Sequence, residues 1–513
     1  MASTPLAPSS MSEASSDSEI DALAADPGPP VRVRRAGLIG GLAVFAALLW
    51  LPAPEGLSAE GWRCAAVGVL MAAWWITEAI AIPATALLPL VLFPVLGVLP
   101  IADAAAPFAN PLIYLYLGGF LLALGMQRWG LHRRLALSVV ASVGDSPRRI
   151  ALGFLLATAF VSMWVSNTAT ALMMLPVGVS VVGLAGAEGA EGRNLGIVVA
   201  LSIAYGASVG GLGTLIGTPP NALLAGFLSE TYGVEIGFGQ WMLLGVPLVA
   251  VGLPMTFAVL TRVYPLGLAR SAAGAAAVRA ELAAMGPLRG PERTVAVVFG
   301  VVATLWVAGP LVREAVPGLS DTAIGMGGAL LLFVLPADWR RMRFVLDWRA
   351  AEDLPWGVLV LFGGGLSLAA AIEATGLATF IGARLGGLAG LPAVAVVAAV
   401  VLVILALTEM TSNTATAAAF LPVVAALAVG LGESPLLLAV PAALAATCAF
   451  ALPAATPPNA IVFGSGLVTL PQMARAGVWL NLGFVVLVTA AAYALLPVVF
   501  GVVYGEVPSW AGP

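Results

Sequence analysis

Ser166-Asn167-Thr168-Ala169-Thr170 returns as Ser412-Asn413-Thr414-Ala415-Thr416, and each copy is a small, polar, uncharged island in a long apolar stretch. Each is followed by a second echo, Thr218-Pro219-Pro220-Asn221-Ala222 after the first and Thr456-Pro457-Pro458-Asn459-Ala460 after the second. Four polar interruptions paired two by two are not what packing alone produces. They predict two related halves whose tips and breaks meet at half depth in a membrane, holding an anion together with its coupling cations.

Composition supports a membrane. Of 513 residues 60% are hydrophobic and 9% charged, with mean hydropathy +1.03, whereas soluble domains carry roughly 25% charged residues. The 59 glycines and 37 prolines point to interrupted helices, which a bilayer tolerates only where protein or a wet cavity satisfies the freed backbone. A net charge of −4 gives no reason to expect nucleic acid as a partner. All 22 basic residues are arginine, which excludes a Schiff-base lysine. Cys64 and Cys448 stand alone in apolar segments, so neither a disulfide framework nor a metal cluster is expected.

Residues 1–30 are too polar to bury a core and read as a disordered tail. A spanning helix needs about 20 apolar residues, which places spans near 36–53, 62–80, 82–100, 110–129, 195–230, 240–262, 293–311, 322–337, 355–373, 435–470 and 477–503. The longest two, 195–230 and 435–470, carry the Thr-Pro-Pro-Asn segments and read as broken helices. The stretches 150–184 and 391–430 carry the Ser-Asn-Thr copies at their centres, either as two full crossings or as re-entrant hairpins. Arginine bias puts 32–35, 128–149, 262–293 and 338–349 on the cytoplasmic face, with Arg193 and Arg475. Arg63, Arg313 and Arg384 are left outside. A single crossing at 150–184 breaks that pattern. Two crossings keep it but strand the polar motif in an external loop, so the motif argument selects the hairpin.

The halves align elsewhere too: Gly118-Gly119 with Gly364-Gly365, and Gly130-Leu131 with Gly376-Leu377. An odd number of crossings separates their starts, so the second half is inverted. The expected fold is an all-α polytopic membrane protein of about 11 transmembrane spans. After a first helix region at 31–61, repeat 1 runs from 62 to 262 and a cytoplasmic linker from 263 to 292. Repeat 2 runs from 293 to 503, and a C-terminal tail from 504 to 513. Inverted repeats with discontinuous helices are secondary-transporter architecture. Amphipathic stretches at 131–143 and 375–388 suit arms lying along the interface.

Ser, Thr and Asn are preferred N-caps, and Pro fits a first helical turn. Tips and breaks therefore supply four half-helix starts, and converging N-termini suit a carboxylate, phosphate or sulfate. Cations need oxygen. Ser162 and Thr408 lie one turn before Ser166 and Ser412. With the Asn167 and Asn413 amides and carbonyls freed near Gly217 and Ala455, they make two small oxygen cages. For any one hydroxyl the ordinary alternative is back-bonding to its own helix.

The residues resemble the divalent anion:sodium symporter family, which includes citrate and dicarboxylate transporters. The resemblance is carried by Trp75-Ile76-Thr77-Glu78-Ala79-Ile80, Leu117-Gly118-Gly119-Phe120, Pro355-Trp356-Gly357, Thr408-Glu409 and the four motifs. It implies a homodimer in the inner (plasma) membrane and an elevator-like moving domain. It implies one Na⁺ site from Ser162, Ser166, Asn167 and Gly217, and another from Thr408, Thr411, Asn413 and Ala455. It implies substrate contacts from Asn167, Thr168, Thr218, Pro219, Ser412, Asn413, Thr414, Thr456 and Pro457. Intact Ser-Asn-Thr copies fit carboxylate carriers better than sulfate carriers.

No arginine lies beside the motifs, so bound Na⁺ would supply the charge a dicarboxylate needs. The expected activity is sodium-coupled uptake of a di- or tricarboxylate, a C4 dicarboxylate foremost, with the N-terminus cytoplasmic. The alternatives are a sodium-independent exchanger of the same fold and a carrier of sulfate or another divalent anion. A channel is a further rival, separable by trans-stimulated exchange. An intramembrane hydrolase has no His or Lys to activate Ser166 or Ser412, so no enzymatic activity is expected. Glu409, beside the second tip, would repel a substrate anion and reads as a structural partner facing away. His132, among Arg133 and Arg134, reads as an interface residue.

Overall fold

The computed structural model describes residues 29–184, 189–266, 272–309, 311, 314, 316–385 and 390–511. Most of the expected tail, Arg313, and the end of the second arm at 386–388 lie outside these residues. The first two helices are α1 (Val31–Trp50) and α2 (Ala59–Thr77). The first starts five residues before the span expected at 36–53. Pro30 stands as its N-cap, and Arg34 Nε donates to the Glu78 carbonyl (3.0 Å), tying its polar first turn to the end of α2. The expected 82–100 span is interrupted. A single turn, Ile82–Thr85, leads to α3 (Leu88–Leu96), which Gly97 ends at φ 67°.

The chain continues with α4 (Pro111–Arg128), α5 (Leu131–Val143), α6 (Pro147–Ser162), α7 (Asn167–Leu184), α8 (Gly189–Gly211), α9 (Pro219–Tyr232) and α10 (Phe238–Val263). The segment expected to be a linker holds α11 (Ala272–Ala284). Then come α12 (Gly290–Val307), α13 (Asp321–Val334), α14 (Trp356–Ala374), α15 (Leu377–Leu385), α16 (Ala393–Thr408), α17 (Asn413–Gly430), α18 (Pro435–Thr447), α19 (Pro457–Gly464) and α20 (Leu470–Phe500). Among the described residues the one pair of strands is a short antiparallel ribbon, Pro336–Asp338 with Arg343–Phe344. Among the described residues nine helices are long and apolar enough to cross a membrane, and shorter apolar helices accompany them.

Both sequence-predicted breaks are present: α8 stops at Gly211 before α9 starts at Pro219, and α18 stops at Thr447 before α19 starts at Pro457. Two helical hairpins flank them, α6–α7 with its tip at 163–166 and α16–α17 with its tip at 409–412. Each hairpin packs on the first piece of its own broken helix, α6 and α7 on α8, α16 and α17 on α18. The second pieces cross over: α9 packs on α17 and α18, and α19 on α7 and α8. That reciprocal crossing brings both tips and both breaks to one place.

Close approach depends on glycine where backbone meets backbone. A Cβ on Gly210 of α8 would lie 2.2 Å from the Ala159 carbonyl oxygen of α6, the helix that carries Ser162. Main chain cannot rotate aside, so Gly210→Ala must separate the two helices. We expect a loss of about 1–3 kcal/mol, the usual range for overpacking a tight core, read as a lowered Tm in detergent. Gly364 of α14, one of the aligned glycines, meets the Ala86 carbonyl at 2.1 Å in the same way.

The arm α5 is pinned on its polar side. Arg134 donates to both carboxylate oxygens of Glu292 (2.6 and 2.9 Å) and to the carbonyls of Met285 and Gly286, while Arg133 pairs with Glu281. His132, expected at the interface, is turned inward: it is buried and its Nδ1 donates to the Met126 carbonyl (3.0 Å). Burial, opposed by the bond to Met126 and helped by the neighbouring Arg133, lowers its pKa from the ordinary imidazole value. A helical residue's own side of the cylinder, not its charged neighbours in sequence, decided where it went.

Candidate functional site

A cavity of about 1110 Å³ sits where the tips and breaks converge. From the tips it takes Ser166, Asn167, Thr168, Ser412, Asn413 and Thr414, and from the breaks Gly217, Thr218, Pro219, Ala455, Thr456 and Pro457. All nine residues expected to touch substrate line it. No arginine or histidine does; its charged lining residues are Glu78, Asp353 and Glu409. The N-terminal ends of α7, α9, α17 and α19 all open on this space with their positive dipole ends; α9 and α19 begin with Pro-Pro, which carries no N–H, so they offer the dipole rather than free donors. A wall of Tyr116 and Phe120 on α4 closes another side, held by an edge contact of Tyr116 with Phe362 of α14 (5.2 Å).

Most of the residues expected to hold cations group as two matched clusters. The Asn167 amide presents one atom to Ser162 Oγ (2.6 Å), the Ala207 carbonyl (3.2 Å) and the Gly217 carbonyl (3.2 Å). Ser162 Oγ also lies 2.8 Å from the Ala207 oxygen, and it has one proton to give. The Asn413 amide does the same with Thr408 Oγ1 (2.7 Å), the Ala446 carbonyl (3.1 Å) and the Ala455 carbonyl (3.3 Å). Thr408 Oγ1 lies 2.7 Å from the Ala446 oxygen. With nitrogen facing inward each amide donates to its ring of acceptors. With oxygen inward, four neutral oxygens converge, the hydroxyl can bond only one of the other three, and a cation would relieve the rest. Such a donor set suits a hard monovalent ion, since divalent sites recruit carboxylates. Among the described residues no group of three His, Cys, Asp or Glu could hold a metal.

Several expected residues sit differently. Thr411 Oγ1 donates to the Leu407 carbonyl (2.9 Å) and meets Thr416 Oγ1 (2.6 Å), so its hydroxyl is outside the second cluster. That is the back-bonding a helix-end threonine can always choose. Ser166 Oγ stands near Ala169 N (3.3 Å) rather than in the first cluster. Capping follows expectation at Ser166 and at Thr456, which accepts from Asn459 N (3.3 Å). It does not at Ser412 or Thr218; Thr218 Oγ1 lies instead 3.4 Å from Thr447 Oγ1 across the two halves.

Sequence reasoning missed the Ala207 and Ala446 carbonyls, which have no side-chain signature. It also gave no role to Asn221 and Asn459. Both are fully buried. Asn221 Nδ2 donates to the carbonyls of Gly211 (3.1 Å) and Thr214 (2.8 Å), and Asn459 Nδ2 to those of Ala449 (3.2 Å) and Leu452 (3.0 Å). The asparagine of each Thr-Pro-Pro-Asn thus splints the unwound segment just before it.

Two tips and two breaks enclosing one cavity in a helical membrane fold are the arrangement expected of a transporter. Solved chains share the fold. Neisseria gonorrhoeae MtrF superposes with TM-score 0.57 at 14% identity, covering 94% of this chain and 98% of that one. Alcanivorax borkumensis YdaH gives TM-score 0.50 at 16% identity, covering 76% and 86%. Sequence goes further: residues 33–502 match the sodium:sulfate symporter transmembrane region, and the chain belongs to that family. It is similar to the sodium-dependent dicarboxylate transporter SdcS of Staphylococcus saprophyticus, 41% identical over 479 residues, 91% of this chain and 92% of that one. SdcS of Staphylococcus aureus strain USA300 is 40% identical over 477 residues with the same coverage.

Proposed function

We propose that the protein takes up a C4 dicarboxylate together with Na⁺ across the plasma membrane. The observation that carries this reading is the pair of neutral oxygen clusters at Asn167 and Asn413, each touching a residue that also lines the cavity. One amide can face a cation and a substrate carboxylate at once, so binding of either favours the other. The substrate's carboxylates lie against Asn167, Thr168, Thr218, Ser412, Asn413, Thr414 and Thr456, with Pro219 and Pro457 shaping the floor. Ser162, Asn167 and Gly217 hold one ion, with Ser166 at its edge. Thr408, Asn413 and Ala455 hold the other, with Thr411 contributing through its main chain.

The hairpins, broken helices, α10 and α20 move as one body against a scaffold of α1–α4 and α12–α14, in an elevator-type cycle. The scaffold forms a homodimer, and the N-terminus is cytoplasmic. Dense packing within each group and the glycine-lined approach of α4 to α13 support that division. Reconstituted protein should accumulate labelled succinate in Na⁺, and replacing Na⁺ by choline should reduce uptake to background. Undiminished uptake in choline would reject coupling and favour sodium-independent exchange, which the oxygen clusters otherwise argue against. Competition by sulfate as strong as by malate would point to the broader divalent-anion carrier.

A further inference from the structure

We infer that Glu409 is the positioning residue that opens the second cation site, by drawing off the N–H groups that would otherwise close the carbonyls at the end of α18. The inference rests on the sodium-coupled reading and concerns how one of its two sites is built. In a continuous α-helix the N–H of residue 450 would bond the carbonyl of 446, that of 451 the carbonyl of 447, and that of 452 the carbonyl of 448. All three N–H groups go to Glu409 instead, and Phe450 N also reaches Asn481 Oδ1 (3.3 Å). Phe450 N and Ala451 N donate to Oε1 (2.8 and 2.9 Å), and Leu452 N donates to Oε2 (2.9 Å). Asn481 Nδ2 on α20 adds a fourth bond to Oε1 (2.6 Å). The Ala446 carbonyl, relieved of its helical donor, is left facing Thr408 Oγ1 and the Asn413 amide.

The carboxylate is 7% exposed, and no ion pair reaches it among the described residues. Its four donors take up both oxygens, which answers the repulsion a bare carboxylate would exert on a bound anion. Its negative charge nevertheless stays one residue from Thr408, on the cation's side of the cavity.

The first repeat has no such device. Met163 stands three residues before Ser166 where Glu409 stands three before Ser412. The first break carries Gly211, Gly213 and Gly217 at the positions where the second carries Ala449, Ala451 and Ala455. Glycine tolerates an unwound backbone unaided; the alanine version is held open by a carboxylate. The two cation sites are therefore related in geometry but not in construction, and only the second depends on a side chain for its open carbonyl.

The test is a Na⁺ titration of the full-length protein, read both as thermal stabilisation in detergent and as succinate uptake in proteoliposomes. Glu409→Gln keeps the shape but removes the charge and one acceptor. It should raise the Na⁺ concentration for half-maximal effect by roughly 10- to 100-fold, as loss of an outer partner does at other metal sites. It should also flatten the Na⁺ dependence towards that of a single site, with succinate KM at saturating Na⁺ little changed. Glu409→Asp, which keeps the charge, should recover part of the shift. Asn481→Ala, which removes one bond to the carboxylate and the long second bond from Phe450 N but leaves the three bonds to Glu409, should show a smaller one. A wild-type Na⁺ dependence in Glu409→Gln would overturn the inference. If that variant does not fold, Asn481→Ala decides: a raised Na⁺ requirement supports the inference and an unchanged one overturns it. A wild-type protein that Na⁺ neither stabilises nor drives would overturn the sodium-coupled reading itself.

Discussion

Asn167→Asp should abolish dicarboxylate uptake while strengthening the response to Na⁺ alone. The substitution exchanges one nitrogen for oxygen and leaves the shape intact, so packing at the tip of the first hairpin is preserved. Whichever atom faces Ser162 Oγ and the Ala207 and Gly217 carbonyls is now an oxygen, and the amide's alternative of donating to them is gone. A cation entering that cluster meets a full negative charge. A substrate carboxylate meets the same charge on the cavity side. At about 5 Å with an effective dielectric of about 20 the repulsion is about 3 kcal/mol, and on the order of 100-fold in affinity follows. Succinate uptake should fall by at least that factor, whereas the Tm gained from Na⁺ without substrate should exceed the wild-type gain. Normal succinate KM in this variant would separate Asn167 from the substrate and leave it a role with the cation only. Asn413→Asp should behave alike, because Thr408, Ala446 and Ala455 repeat the arrangement.

That symmetry is also what made the chain legible. The duplicated pentapeptide and Thr-Pro-Pro-Asn segments mark where hairpin tips and breaks fall, because a Pro-Pro pair has no N–H to give and suits a first helical turn and short polar side chains have little use within apolar stretches. Long apolar runs gave the spans to within a few residues, except where a local stop intervened, as Gly97 does after α3. What stayed hidden has a common cause. The Ala207 and Ala446 carbonyls belong to residues whose side chains say nothing, and whether a main-chain oxygen is free depends on where its N–H partner went. Thr411 and Thr218 carry hydroxyls that could serve a ligand, a cap or a helix carbonyl, and only packing chooses among these. The aromatic wall of Tyr116, Phe120 and Phe362 joins α4 to α14, a contact between segments far apart in sequence. That His132 packs inward against the Met126 carbonyl, beside an exposed Arg133, depends on its own side of α5 and has no signature in the sequence.

Asn459→Leu should be the most destabilising single change at either break. Asn459 is fully buried, and its Nδ2 donates to the carbonyls of Ala449 and Leu452, the two ends of the turn that α18 must make before α19 begins. Leucine keeps the branched outline, is larger than the amide, and removes both donors, so overpacking adds to the lost bonds. Each buried carbonyl left without its partner costs about 1–3 kcal/mol, a large share of a net stability of about 5–15 kcal/mol. The Leu452 oxygen keeps a long bond from Ala455 N (3.3 Å), so the Ala449 side should suffer more. A lowered Tm in detergent, together with uptake lost even at saturating Na⁺, is the expected result. Saturating Na⁺ should not restore it, since an ion at the Ala446 and Ala455 carbonyls supplies no donor to Ala449. Asn459→Asp should fail as badly despite its polarity, because a carboxylate brings acceptors to a place that needs N–H groups. Asn221→Leu should repeat the effect at Gly211 and Thr214, whose bonds to Nδ2 are 3.1 and 2.8 Å. If instead Asn459→Leu unfolds at the wild-type temperature and still transports, the asparagine is not a splint. The broken helix would then owe its shape to the prolines and to Glu409 alone.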